Sequence, residues 1–151
     1  MIFGAILLLV ARIVTAQSIS DEPSSSDCDG AISLPSLFTL HSLTNKTGTY
    51  YSQENINDAA TAALSYYASG ETVGSDEYPH QYKDYEGFSF LCSAPYLEFP
   101  ILTSGVYDGG SPGPDRVVIG SISSDDSSAE YCAVITHDGE SDNEFAECSD
   151  S

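Results

Sequence analysis

Four cysteines, Cys28, Cys92, Cys132 and Cys148, constrain this chain most, because all of them fall downstream of its long N-terminal apolar run. That run, Ile2 to Val10, is too short to span a bilayer and is followed by the small-residue sequence Val14-Thr15-Ala16. Residues 1–16 therefore read as a removable secretory leader, with Arg12 an unusual charge between the apolar run and the cleavage site and a short membrane-associated segment as the alternative. A chain on that route meets oxidising conditions, so the four thiols are expected to form two disulfides, in one of three pairings. Their spacing fits no compact zinc site. The remaining stretch, 17–151, is one domain's worth of chain, small enough that its core alone gives modest stability and cross-links matter.

Charge narrows the function classes. Four Lys and Arg stand against 23 Asp and Glu, a formal net charge of −19, and loss of Arg12 with the leader makes it more negative still. Such a surface repels polyanions at long range. It excludes a basic groove, counterion-driven binding and the long basic loops with which a ribosome-directed toxin would hold structured RNA. A polyanionic substrate would have to be held by a few local contacts.

Residues 17–27 are Ser- and acid-rich, and 31–50 carry no clear period, with Pro35, Gly48 and the glycosylation sequon Asn45-Lys46-Thr47. The expected organisation is a leader (1–16), an N-terminal segment and insertion that is partly disordered (17–50), and a folded domain (51–151). Ser52 can cap a helix over about 53–69, with Glu54 in its first turn, apolar Ile56, Ala59, Ala60, Ala63, Leu64 and Tyr67 at helical spacing, and Gly70 as its stop. Short alternating segments follow at Tyr96 to Ile101, Asp115 to Ile119, Tyr131 to His137 and Phe145 to Cys148. The predicted fold class is α+β, one amphipathic helix packed on an antiparallel sheet.

Period two then sorts the strands by face. Leu97, Phe99, Ile101, Val117, Ile119 and Val134 form the helix-facing core, and Glu98, Arg116 and His137 converge on the other side. That trio suits transesterification of RNA, which needs a base for the 2′-hydroxyl, an acid for the leaving 5′-oxygen, and positive charge at the phosphorane. Taken singly, such residues are more often structural polar contacts. Arg116, by charge, is expected to hold Glu98 ionised.

The segment Tyr78 to Phe88 holds a second cluster. Its tyrosines suit either a surface closing a small core or a base-binding loop, in which Tyr82 and Tyr85 stack on a purine and Glu86 accepts from the N1–H and exocyclic amine of guanine. The turn Asp108 to Pro114 reads as a tight connection into the Arg116 strand, although its N–H groups could face a phosphate.

Gly70-Glu71-Thr72-Val73-Gly74-Ser75, Tyr78-Pro79-His80, Tyr85-Glu86-Gly87-Phe88, Pro95 to Leu102, Gly109 to Gly113, Asp115-Arg116-Val117-Val118 and Ile135-Thr136-His137 together closely resemble the small fungal guanyl-specific ribonucleases. The resemblance runs in order from about Tyr51 to Cys148. It implies the microbial ribonuclease fold, Glu98 as general base, His137 as general acid, Arg116 and Tyr78 at the phosphate, His80 assisting the base, and Phe145 beside the leaving group. It also implies a guanine site built from the backbone of Lys83 to Tyr85 and of Asn143, with Glu86 reading the Watson–Crick edge and Tyr82 and Tyr85 stacking. Cis peptides at Tyr78-Pro79 and Ala94-Pro95 come from the same resemblance. Tyr51-Ser52, Tyr78 to Tyr82 and Ser111 to Arg116 also resemble the purine-preferring branch of these enzymes, which has a disulfide where Cys92 and Cys132 stand, and this implies the pairs Cys92–Cys132 and Cys28–Cys148.

Two departures stand out. Lys83-Asp84 replaces the usual Asn-Asn pair, which brings a carboxylate near guanine and could relax the base choice, and the segment 31–50 has no counterpart within the resemblance. The implied function is a secreted, cofactor-free monomer cleaving single-stranded RNA 3′ to guanosine through a 2′,3′-cyclic phosphate, acting on neither DNA nor membranes. The alternatives are a relaxed purine-specific ribonuclease and a secreted, inactive ribonuclease-like binding protein. Joint retention of Tyr78, His80, Glu98, Arg116, His137 and Phe145 argues against the second.

Overall fold

The computed structural model describes residues 17–28 and 48–151. The leader and the sequon at Asn45 lie outside the described residues. In chain order the elements are β1 (Ser18–Ser20), β2 (Ser25–Cys28), β3 (Thr49–Ser52), α1 (Gln53–Ser69), β4 (His80–Tyr82), β5 (Tyr96–Pro100), β6 (Asp115–Gly120), β7 (Ser128–Thr136), β8 (Ala146–Glu147) and β9 (Ser149–Asp150).

The helix has the expected bounds for physical reasons visible at both ends. Ser52 Oγ accepts from the Asn55 N–H, and the Asn55 side chain accepts from the Ser52 N–H, a reciprocal cap that satisfies two otherwise orphaned donors. Gly70 closes the helix at φ 69°, a left-handed conformation natural to glycine, and its N–H turns back to Tyr67 O.

The larger sheet runs β1-β7-β6-β5-β4, with β8 pairing the C-terminal end of β7 at Ile135 and Thr136; β4, β5, β6 and β7 are antiparallel neighbours, while β1 joins the N-terminal end of β7 in parallel. Ile56, Ala59, Ala60, Ala63 and Leu64 of α1 pack on Leu97, Phe99, Ile101, Val117, Ile119 and Val134, the face assignment expected from period two. Burying each large side chain among them contributes about 1.5–3 kcal/mol. The opposite face is not bare. Tyr82, Val118, Ala133 and Ile135 form a second cluster under Phe88, Phe90 and Phe145, so every residue of β6 is buried.

Residues 17–28 carry no strand signal, yet β1 extends the main sheet and β2 pairs with β3 and β9 in a second one. The second sheet is clasped by Cys28–Cys148, and Ser24 and Ser25 N–H both donate to Ser151 O, with Ser151 N–H returning to Ser25 O. The other disulfide, Cys92–Cys132, crosses Gly120 so closely that a Cβ there would lie 3.0 Å from each sulfur. Both implied pairings are present, as are the cis peptides at Tyr78-Pro79 and Ala94-Pro95. The strand expected over Phe145 to Cys148 shortens to β8, and β7 stops one residue before His137.

Candidate active site

Four neighbouring strand segments carry the ionisable residues to one cleft. His80 on β4 sits directly opposite Glu98 on β5, Glu98 opposite Val118 on β6, and Arg116 opposite Ile135 on β7. His137 follows β7 and is anchored by its N–H on Pro114 O at 3.0 Å. The cleft encloses about 660 Å³ and is lined by Tyr78, His80, Glu98, Arg116 and His137, and by Tyr82, Lys83, Tyr85, Glu86, Asn143 and Phe145. Of the residues expected at the site, Asp84 is the one that does not line it.

Glu98 lies deepest. Its side chain is 13% exposed, Oε1 is 3.4 Å from His80 Nδ1, and Oε2 is buried without a hydrogen-bond partner. Burial pushes this carboxyl above the usual carboxylate range, and Arg116, then His80 and His137, pull it back only in part. Arg116 therefore acts in the expected direction, favouring the ionised form, while desolvation is the larger influence and leaves the net shift upward. His80 Nε2 meets the carbonyl of Asp76. A carbonyl can only accept, so Nε2 carries a proton and Nδ1 is left facing the carboxylate.

The elevated Glu98 has a consequence for stability. A carboxyl whose folded pKa exceeds its unfolded one favours the native state fully below the unfolded value and loses that contribution as pH rises through the folded value. At neutral pH the buried charge therefore costs stability. Glu98→Gln is expected to melt a few degrees higher than the native protein at pH 7, with the gap closing below about pH 4. A scan of melting temperature against pH checks it, and a variant less stable at pH 7 contradicts it.

Arg116 is itself buried, its guanidinium held through Nε and Nη1. Nε donates to Tyr78 Oη at 3.0 Å, and Nη1 donates to the carbonyls of Gly113 and Asp115, each at 2.8 Å. Nη2 remains as the donor outside these bonds. The turn Asp108 to Pro114 thus acts through carbonyls that hold the arginine. Tyr78 stacks on His80, with ring centroids 4.2 Å apart, and burial raises its hydroxyl pKa, so this phenol stays protonated. On the far side, His137 Nδ1 is 2.7 Å from Glu144 O, which fixes the proton on Nδ1 in the neutral ring and leaves Nε2 for chemistry. Its ring lies on Phe145, with centroids 3.6 Å apart.

In the adjoining loop, Glu86 accepts from Tyr82 Oη at 2.8 Å and from the Phe145 N–H at 3.0 Å. The two tyrosines differ. Tyr82 is buried edge-on against Phe145, whereas Tyr85 is 85% exposed. Asp84, at φ 50°, turns its carboxylate inward to accept from the Phe88 N–H at 2.8 Å. Sequence reading missed the supporting groups, namely the carbonyls of Asp76, Gly113 and Glu144 and the buried Tyr51–Asp115 hydrogen bond of 2.7 Å beneath Arg116. Backbone carbonyls carry no side-chain signal, and the Tyr51–Asp115 pair is 64 residues apart in the chain.

A carboxylate and an imidazole set apart across a guanidinium and a phenol can deliver and remove protons on two sides of a phosphorus while stabilising its added charge. Fold and cleft together define a small α+β enzyme of acid–base phosphodiester chemistry. The ribonuclease family model matches residues 41–149, and the chain belongs to that family. The extracellular guanyl-specific ribonuclease Fl1 of Gibberella baccata is 52% identical over 103 residues, covering 68% of this chain and 92% of the relative. Guanyl-specific ribonuclease T1 of Aspergillus oryzae is 45% identical over 122 residues, covering 76% and 89%. Guanyl-specific ribonuclease C2 of Aspergillus clavatus is 37% identical over 150 residues, covering 99% and 98%, so this match runs through the segment 31–50 for which no counterpart was expected.

Proposed function

We propose that this protein is a secreted endoribonuclease that cleaves single-stranded RNA after guanosine, forming a 2′,3′-cyclic phosphate and then hydrolysing it to a 3′-phosphate. The observation that carries the reading is the convergence of Glu98, His80, Arg116, Tyr78 and His137 on one cleft beside the Tyr82 to Glu86 loop. Glu98 takes the proton of the 2′-hydroxyl, helped by His80. The 2′-oxygen attacks phosphorus, Arg116 and the Tyr78 hydroxyl bind the phosphorane oxygens, and His137 Nε2 protonates the departing 5′-oxygen. In the second step the roles reverse, with His137 activating water and Glu98 returning its proton. The raised pKa of Glu98 makes its anion a stronger base and shifts the acid limb of the activity profile above the ordinary carboxylate value.

Base choice follows from the loop. Tyr82 and the Phe145 N–H aim the two oxygens of Glu86, each of which keeps a lone pair for a donor of guanine, while the exposed Tyr85 offers a ring to the purine face. Adenine lacks those donors. Because Asp84 spends its carboxylate within the loop, its charge does not oppose guanine from inside the cleft, which supports guanyl preference over relaxed purine cleavage. With GpC, ApC and UpC offered in chelator, cyclic-phosphate release is expected fastest from GpC, slower from ApC and poorest from UpC. One lost buried hydrogen-bond pair is worth at least tenfold between GpC and UpC. Equal rates on GpC and UpC would dismiss the base pocket, and no release from any of the three would dismiss the enzyme.

A further inference from the structure

The sequence has only four Lys and Arg, and among the described residues Lys83 and Arg116 are the two permanent cations. Both line the same cleft, in a chain of net charge −19. Arg116 is tied down by Tyr78 and by turn carbonyls. Lys83 is not: it is exposed, and among the described residues no carboxylate pairs with its ammonium. That is notable because the sequence surrounds it with acids. Asp84 turns inward to the Phe88 N–H, and Glu86 is taken by Tyr82 and the Phe145 N–H, so the two nearest carboxylates of the loop are both engaged elsewhere. Among the described residues the result is one unpaired positive charge at the cleft of a strongly acidic chain.

Its position defines what it can bind. His80, at the reacting end, opens β4, and Lys83 follows the last residue of that strand, about 10 Å further along at the rise of an extended chain. The scissile phosphate belongs at the His80 end, with Glu98, Arg116 and His137, and the base belongs between. A lysine beyond the base is placed for the next phosphate of the chain. We propose that Lys83 binds the phosphodiester on the 5′ side of the bound guanosine and makes the enzyme favour RNA chains over dinucleotides. This rests on the ribonuclease reading above.

The comparison is between GpC, which has only the scissile phosphate, pGpC, which adds a 5′-phosphate alone, and UpGpC, which adds a full nucleotide. The native protein is expected to show kcat/KM about fivefold higher on pGpC and UpGpC than on GpC, the range of an exposed charge pair. Lys83→Gln should erase most of that ratio and Lys83→Arg should keep it. The salt dependence of KM for UpGpC should also be steeper in the native protein than in Lys83→Gln by a log–log slope of about 0.7, the value for one phosphate of a single strand. A ratio that survives in Lys83→Gln, or a loss of equal size on all three substrates, overturns the proposal. If the native protein cleaves none of them, the ribonuclease reading fails by itself. Lys83 is then judged by tyrosine-fluorescence titration with uncleavable 2′-deoxy dGpdC, with and without a 5′-phosphate: a preference for the phosphate that Lys83→Gln removes supports the site, and equal binding by both proteins overturns it.

Discussion

Replacing His137 with Ala is expected to lower kcat/KM on GpC by roughly 10²–10⁴-fold, the contribution of one general acid, and to cost far less on a guanosine 3′-nitrophenyl phosphate. The difference arises from the leaving group, since a nitrophenolate departs without a proton whereas a 5′-alkoxide does not. His137 is placed for proton transfer at the leaving-group side. Its Nδ1 is committed to Glu144 O at 2.7 Å, its ring is fixed on Phe145, and Nε2 is the remaining nitrogen. Glu98→Ala, by contrast, should slow both substrates, because 2′-hydroxyl activation is common to them. His80, which already faces Glu98, is the group able to replace it in part. Equal losses on both substrates in a folded His137→Ala protein would make His137 a phosphate ligand and require another acid. The native enzyme should show a bell-shaped pH profile, its acid limb belonging to Glu98.

Opening Cys28–Cys148 by Ala replacement of both cysteines is expected to cost about 4–5 kcal/mol, and opening Cys92–Cys132 about 1 kcal/mol less. The order follows from loop length, because the two bridges close sequence separations of 120 and 40 residues and the longer loop loses more freedom in the unfolded chain. Urea titrations of the two double variants measure both numbers. The longer bridge also ties together the second sheet at its narrower junction. β2 and β9 are short, rich in Ser and Asp, and joined across only two registered pairs. If removing Cys92–Cys132 proves the more damaging, local packing around Gly120 outweighs chain entropy and loop length does not rank the two bridges.

What could be read from the sequence was what burial had written into its periodicity. α1 and the core face of β5 to β7 follow from apolar spacing, and because a strand sends alternate residues to opposite faces, fixing Leu97, Phe99, Val117 and Val134 inward also fixed Glu98 and Arg116 on the other side. β1, β2 and β9 left no such mark. Ser18–Ser20 and Ser25–Cys28 lack alternating hydrophobics and are strands because backbone partners and a cross-link are supplied from far along the chain. The site divides similarly. Side chains that react are legible by type, but what aims them is largely main chain. The carbonyls of Asp76, Gly113 and Glu144 hold His80, Arg116 and His137, and any residue at those positions has a carbonyl. The upward shift of Glu98 was likewise hidden, since charge can be counted from sequence while depth of burial has to be seen.

The clasp between the two ends of the domain bears on how the chain is made. Synthesis runs from the N-terminus, so Cys28 is exposed to oxidation before Cys148 exists, and both Cys92 and Cys132 are made in the interval. Each is a wrong mate that arrives first. Meanwhile β2 can find β3, but its other edge stays open until residues 149–151 have been added. Oxidation during translocation therefore offers Cys28 two non-native bridges ahead of its native one, and reaching Cys28–Cys148 from either requires thiolate attack and exchange. Any agent that speeds thiol–disulfide exchange would therefore shorten the route to the native clasp.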